Sequence, residues 1–244
     1  MVLEERHGEL ESRSAAYMAK VMGWMCVGLL TTVVAAMAVV NVPEIFMMIF
    51  GSPTRIIAIW VAQILMVIVL TRAIGKMSPA MATAMFMLYS AMTGLTMSVF
   101  VLIYDLDALI LAFSVTTVVF LAMAVYGFVT KRDLTGAGRL AMFGLFGIIL
   151  AGLANWLMIF MGLWIRPNPM LDFGITAIGV VVFIVLIAYD TQKIKSIYQQ
   201  AIVTGYDEDS PEVRKLAIIG ALHLYLDFIN LFILMLRLLG GRRR

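Results

Sequence analysis

Residues 171–192 read LDFGITAIGVVVFIVLIAYDTQ, and from Phe173 to Tyr189 no side chain carries a charge. A run this long and apolar is read as a membrane-spanning helix, because the hydrocarbon core of a bilayer takes about 20 such residues. Working outward, five comparable segments precede it, at roughly 20–42, 55–74, 80–103, 107–129 and 138–164, and one follows at 216–239. Short punctuators separate them: Asn41-Val-Pro43, Gly51-Ser-Pro53, Gly75 to Pro79, Asp105-Leu-Asp107, Lys131 to Gly136, and Arg166-Pro-Asn-Pro169. Such connections make neighbouring helices antiparallel and leave no room for a soluble domain. There is no convincing internal repeat.

Composition agrees. The 244 residues are 63% hydrophobic and 14% charged, whereas a soluble domain carries about 25% charged and 45–50% apolar residues. A chain this short cannot hide so much apolar surface in a water-soluble globule, so the bilayer is its solvent. The expected class is an all-α integral membrane protein with seven transmembrane helices. Residues 1–19 form a polar, helical lead-in with Glu4, Glu5, Arg6, Glu9, Glu11 and Arg13, unlike a cleavable signal peptide. Residues 20–239 form the transmembrane domain, with a solvated loop at about 193–215 that holds Asp207-Glu-Asp-Ser-Pro211 and is preceded by a candidate helical extension of the sixth segment, and residues 240–244 a basic tail.

The single cysteine, Cys26, rules out an internal disulfide framework and is expected as a small core residue. The net charge of +3 comes from basic residues scattered over loop edges, which topology explains better than nucleic acid does. Counting Lys and Arg with the N-terminus inside puts twelve on cytoplasmic pieces and two on outer loops. That bias predicts a cytoplasmic N-terminus in a bacterial inner membrane. Arg237, Arg242, Arg243 and Arg244 are the exception: a fully spanning seventh segment, the favoured reading, carries them outside, and a re-entrant one keeps them inside.

Ionisable residues at membrane depth cost about 2.5–3.5 kcal/mol each and need a partner or a wet cavity. Three stand out: Asp190 near the inner end of the sixth segment, Asp227 in the seventh, and Arg72 at the inner end of the second. Gly220, His223, Asp227 and Asn230 step by three and four, so they form one polar stripe on the seventh helix. Two carboxylates in a low dielectric cannot both ionise cheaply, so a juxtaposed pair shares a proton and titrates as a unit. An arginine within reach competes for the ionised form. The plainer reading has Asp190 marking a helix end beside Lys193 and Lys195, and Asp227 pairing with His223 at i−4. Depth opposes the latch: with a helix beginning at 216, Asp227 lies up to about 10 Å deeper than Asp190.

At these residues the chain resembles a known family. Ala188-Tyr-Asp-Thr-Gln-Lys-Ile-Lys195 and Ala221-Leu-His-Leu-Tyr-Leu-Asp-Phe-Ile-Asn-Leu-Phe232 closely resemble the signatures of the transmembrane Bax inhibitor motif family. Tyr126 to Gly136 and Gly94-Leu-Thr-Met-Ser98 also look like family members, and the short loops look bacterial. The resemblance covers nearly the whole chain. It implies six helices wrapped around a central C-terminal seventh, and a pH-dependent calcium leak. It further implies that Asp190 and Asp227 form a proton-sharing pair with Arg72 as competitor, the pair closing the cytoplasmic end of a pore. Tyr189, His223 and Asn230 would flank the pair.

Calcium prefers oxygen ligands, which the ionised Asp190 and Asp227 would offer transiently. Asp105, Asp107 and Asn155 are candidates for the ion path, the two aspartates otherwise being turn residues. Tyr89, Ser90, Thr93 and Thr96 either line the path or pack helices. No resident cofactor is expected; calcium is the permeant ion, and lipid, calcium and protons are the expected partners.

An enzyme is not expected. An intramembrane aspartyl protease carries Gly-x-Gly-Asp, where this chain has Leu224-Tyr-Leu-Asp227. A zinc site would need more ligands than His7 and His223 supply. A proton-coupled transporter or a regulatory membrane protein using the same carboxylates is the alternative. The 20 methionines are adaptable packing.

Overall fold

The computed structural model describes residues 2–161 and 169–240, with side chains from residue 8 onward except at 155, 156, 159 and 160. Eight α-helices occur among the described residues: α1 (Val2–Asn41), α2 (Pro43–Phe50), α3 (Pro53–Ala73), α4 (Pro79–Ile103), α5 (Leu106–Val129), α6 (Thr135–Phe160), α7 (Pro169–Val203) and α8 (Pro211–Leu239). Seven of them, all except α2, are long and apolar enough to cross a membrane. No strand occurs among the described residues, as a chain that must satisfy every backbone group within its own helices requires.

Proline and serine set several helix starts. Pro43, Pro53 and Pro79 occupy first-turn positions, where the missing N–H is no loss. The Ser78 hydroxyl accepts the Met81 N–H at 3.2 Å, and Ser210 accepts that of Val213 at 3.3 Å. The short α2 lies in a connection that the apolar-window reading left irregular.

Two boundaries differ from the sequence-based expectation. The N-terminal segment is continuous with the first span, so α1 has no break near residue 19. At the other, the helical extension expected at the start of the 193–215 connection reaches through KIKSIYQQAIV to Val203, a stretch with no Gly or Pro to end it.

The chain divides into two compact units: Met1–Tyr104 with Ile194–Tyr225, and Asp105–Lys193 with Leu226–Arg244. In the first unit, α1 packs along α4. The Thr32 hydroxyl donates toward the carbonyls of Gly28 (3.0 Å) and Ser90 (2.9 Å) and lies 2.6 Å from the Tyr225 hydroxyl of α8. Tyr225 also meets Phe86 and Tyr89 edge-on, at 5.7 and 6.0 Å between ring centroids. Tyr17 of α1 stacks on Tyr198 of α7 at 4.2 Å, and the Lys195 ammonium pairs with Glu11 at 2.7 Å.

In the second unit, Phe228 of α8 sits edge-on between Phe113 and Phe120 of α5, at 5.6 and 5.5 Å. A Cβ at Gly127 would collide with the Ala188 backbone, and one at Gly138 with the Tyr189 ring. Glycine at these two positions brings α5 and α6 onto the same stretch of α7. Helix α8 contributes to both units and is the most buried: 61% of its most apolar window is inside, against 6–33% for the other six spans.

Many large apolar side chains face outward, among them Leu30, Val34, Trp60, Val118 and Phe143. In a bilayer this is the lipid-facing surface. Cys26 belongs to it: the thiol is exposed, which corrects the expectation of a core residue. Lipid and core are equally apolar, so sequence alone does not tell which way such a residue turns.

Candidate functional site

Helix α8 presents a single carboxyl group to a buried position. Asp227 is 5% exposed and is the only Asp, Glu, Lys, Arg or His in the buried class among the described residues. Its partner is Asp190 of α7: the two side chains lie within hydrogen-bonding and Coulomb range of each other. Both residues belong to the second unit. The Oδ2 atom of Asp227 has no hydrogen-bond partner among the described residues.

The depth objection disappears with the true helix lengths. Asp190 precedes the end of α7 at Val203 by 13 residues, and Asp227 follows the start of α8 at Pro211 by 16. The difference of three residues is about 4.5 Å along a helix, small enough for side chains to bridge. Counting depth from the ends of the apolar segments, at 192 and 216, exaggerates the offset.

Local packing explains why Asp190 is held where it is. Tyr189 lies against Gly138 of α6, with the Lys193 ammonium 5.5 Å from its ring centroid. One turn on, the Gln192 amide reaches the backbone of the α5–α6 connection. Its Oε1 accepts the Leu134 N–H at 2.9 Å, and its Nε2 donates to the Arg132 carbonyl at 2.8 Å and the Thr130 carbonyl at 3.5 Å. The reading of Ala188–Lys195 as a motif covered Gln192 without giving it a role, since its partners lie about 60 positions earlier in the chain.

The remaining candidates fall as follows. Asn230 donates to the Leu226 carbonyl of its own helix at 2.8 Å, which satisfies one of its amide hydrogens within α8. His223 is half-buried and lies in the part of α8 that belongs to the first unit. Gly220, at the start of the stripe, faces Ile194 and Val21 rather than polar groups. Arg72 stands in the last turn of α3, in the first unit, with an exposed side chain. Asp105 and Asp107 are exposed where α5 begins, where negative charge suits the helix dipole. The side chain of Asn155 and the connection at 162–168, which contains Arg166, lie outside the described residues. Among the described residues no three His, Cys, Asp or Glu side chains gather in a way that could hold a metal ion.

Chemically, a carboxyl–carboxyl hydrogen bond needs one proton, because an ionised carboxylate only accepts. The bond survives when both groups are protonated and is lost when both ionise. A carboxyl pair in such contact is chemically able to act as a proton-dependent link between two helices.

The sequence of the chain is similar to known proteins. The model of the family described as Inhibitor of apoptosis-promoting Bax1 matches residues 14–244. The inner membrane protein YbhL of Escherichia coli is 43% identical over 227 residues, covering 93% of this chain and 92% of its own. A Rickettsia prowazekii protein is 38% identical over 227 residues, covering 93% and 90%. A Streptococcus pyogenes membrane protein is 37% identical over 180 residues, covering 74% and 72%.

Proposed function

Because the chain belongs to the Bax inhibitor family, we propose that this membrane protein is a pH-sensitive calcium leak channel whose gate is the Asp190–Asp227 pair. The observation that carries this reading is the contact between two carboxyl groups, one of them buried at 5% exposure in a membrane-spanning helix. With one proton shared, the pair ties α7 to α8. When both carboxyls ionise, the link is lost and two adjacent negative charges repel. The freed oxygens then suit a hard cation, and Arg72 is the proposed competitor for one carboxylate. Asp105, Asp107 and Asn155 are proposed on the ion path. Insertion in the bacterial inner membrane with a cytoplasmic N-terminus follows the distribution of Lys and Arg and the location stated for YbhL.

The test is calcium entry into proteoliposomes of purified protein, scanned from about pH 5 to 8, a range wide enough to catch the two steps of a coupled pair. Flux is expected to change with pH in the wild type. It should become flat in Asp190→Asn and Asp227→Asn, and keep its profile in Asp133→Asn, whose carboxyl stands in the α5–α6 connection. Identical profiles in all three variants would refute the gate. Absence of calcium entry at every pH would shift the reading to a proton-coupled transporter of another solute.

A further inference from the structure

The link between Gln192 and the α5–α6 connection is chemically particular. A primary amide offers one acceptor and two donors on the same terminus, and all three functions are used: toward the Leu134 N–H, the Arg132 carbonyl and the Thr130 carbonyl. An ionised glutamate at this position would keep only the bond from Leu134. A leucine of similar volume would keep none. The connection is further ordered by Asp133, whose Oδ1 accepts the Thr135 N–H at 2.9 Å.

These bonds lie one side of Asp190 and the glycine contacts the other. Gly127 of α5 abuts the Ala188 backbone and Gly138 of α6 the Tyr189 ring. Gln192 fastens the next turn to the residues that join those two helices. Asp190 sits between the two sets of contacts, so the turn that carries it is held on both sides by α5, α6 and their connection. All of these residues belong to the same compact unit as Asp227.

We infer that Gln192 is a positioning residue: by clamping the α5–α6 connection it fixes the Asp190 turn, and with it the distance between the Asp190 and Asp227 carboxyls. The inference rests on reading that pair as the gate, and it makes the cytoplasmic connection 130–134 part of the gate's mounting. A disturbance of this connection is thereby felt at Asp190.

Two readouts separate the clamp from the gate. The first needs no ion flux. In a Cys26→Ala background, cysteines at 190 and 227 are oxidised in membranes and the rate of disulfide formation is measured. Gln192→Leu should slow it about fivefold, the population change that losing a hydrogen-bonded constraint brings. Gln192→Glu, which keeps the Leu134 bond, should fall between, and it serves as the test protein if the leucine variant does not fold. Asp133→Asn, whose amide oxygen still accepts the Thr135 N–H and so leaves the connection ordered, should leave the rate unchanged. The second readout is the pH profile of calcium entry with both aspartates in place, where Gln192→Leu should move the midpoint by about half a unit, as a fewfold change in the linked state implies. An unchanged disulfide rate in both Gln192 variants, or an equal slowing in Asp133→Asn, would overturn the positioning role. A slowed rate in a protein that shows no pH-dependent entry would retain the clamp and refute the gate.

Discussion

At Asp227 the cost of membrane depth and the benefit of a partner meet on one side chain. An isolated charge there costs about 2.5–3.5 kcal/mol, and in the proposed pair one shared proton leaves a single negative charge where two would otherwise stand, while keeping the bond. The glycines behind Asp190 make a sharper claim on stability. Gly138→Leu should lower thermal stability in detergent by about 1–3 kcal/mol, the usual cost of overpacking, because the new side chain must displace the Tyr189 ring. Circular dichroism melting checks it; an unchanged melting temperature would mean the ring moves freely.

Asp133 supplies a pH effect outside the spans. Its hydrogen bonds to Thr135 hold the carboxyl below its ordinary value of 3.8. A depressed carboxyl stabilises the fold above the unfolded value, and that contribution is lost as pH falls through the lower folded one. The start of α6 should therefore loosen only below about pH 4, seen as faster amide exchange at Thr135. Loosening already at pH 6 would point to another group. The aspartates of the candidate site could be named from sequence because charge at membrane depth is rare. Gln192 could not, since an amide near a helix end looks like ordinary surface until its partners are known.

Among the elements, α8 is joined to α1 and α4 of the first unit through Tyr225. Its hydroxyl lies 2.6 Å from that of Thr32 and its ring meets Phe86 and Tyr89. Tyr225→Phe keeps the ring contacts and removes the hydroxyl, so the expected loss is about 0.6 kcal/mol, up to about 1.7, as for other hydrogen bonds between membrane helices. A chemical melt of the variant beside wild type measures it, and a loss well above that range would show that the hydroxyls act as one network. The seven long helices were legible because each carries about 20 mostly apolar residues, even where His223, Asp227 and Asn230 interrupt the last one. The helical state of PEIFMMIF was not, although Pro43 followed by Glu44 is a helix-start signal; eight residues are too few to register as a span. The extension of α7 was legible but its end at Val203 was not, since a search for apolar windows stops where Lys193 begins.

For the molecule as a whole, orientation is the property that sequence addresses most directly. Twelve Lys and Arg against two predict that residues 1–19 and the α7–α8 connection share the cytoplasmic side. Cysteines placed one at a time at Glu9 and Asp207 in a Cys26→Ala background should react with a membrane-impermeant thiol reagent only in inside-out vesicles. Labelling of intact cells would reverse the assignment. What composition could not supply is which face of each helix looks outward, because lipid and protein interior reward the same side chains. The exposed thiol of Cys26 is the plainest instance.

The length of α7 has one more consequence. Its 35 residues make a rod of about 52 Å, while the hydrocarbon layer is about 30 Å thick. About 20 Å of rod is left over, and the end beyond Asp190 reaches toward Val203 without a break. That leftover length is a splint for the polar first turns of α1, with Tyr17 stacked on Tyr198 and Glu11 paired with Lys195.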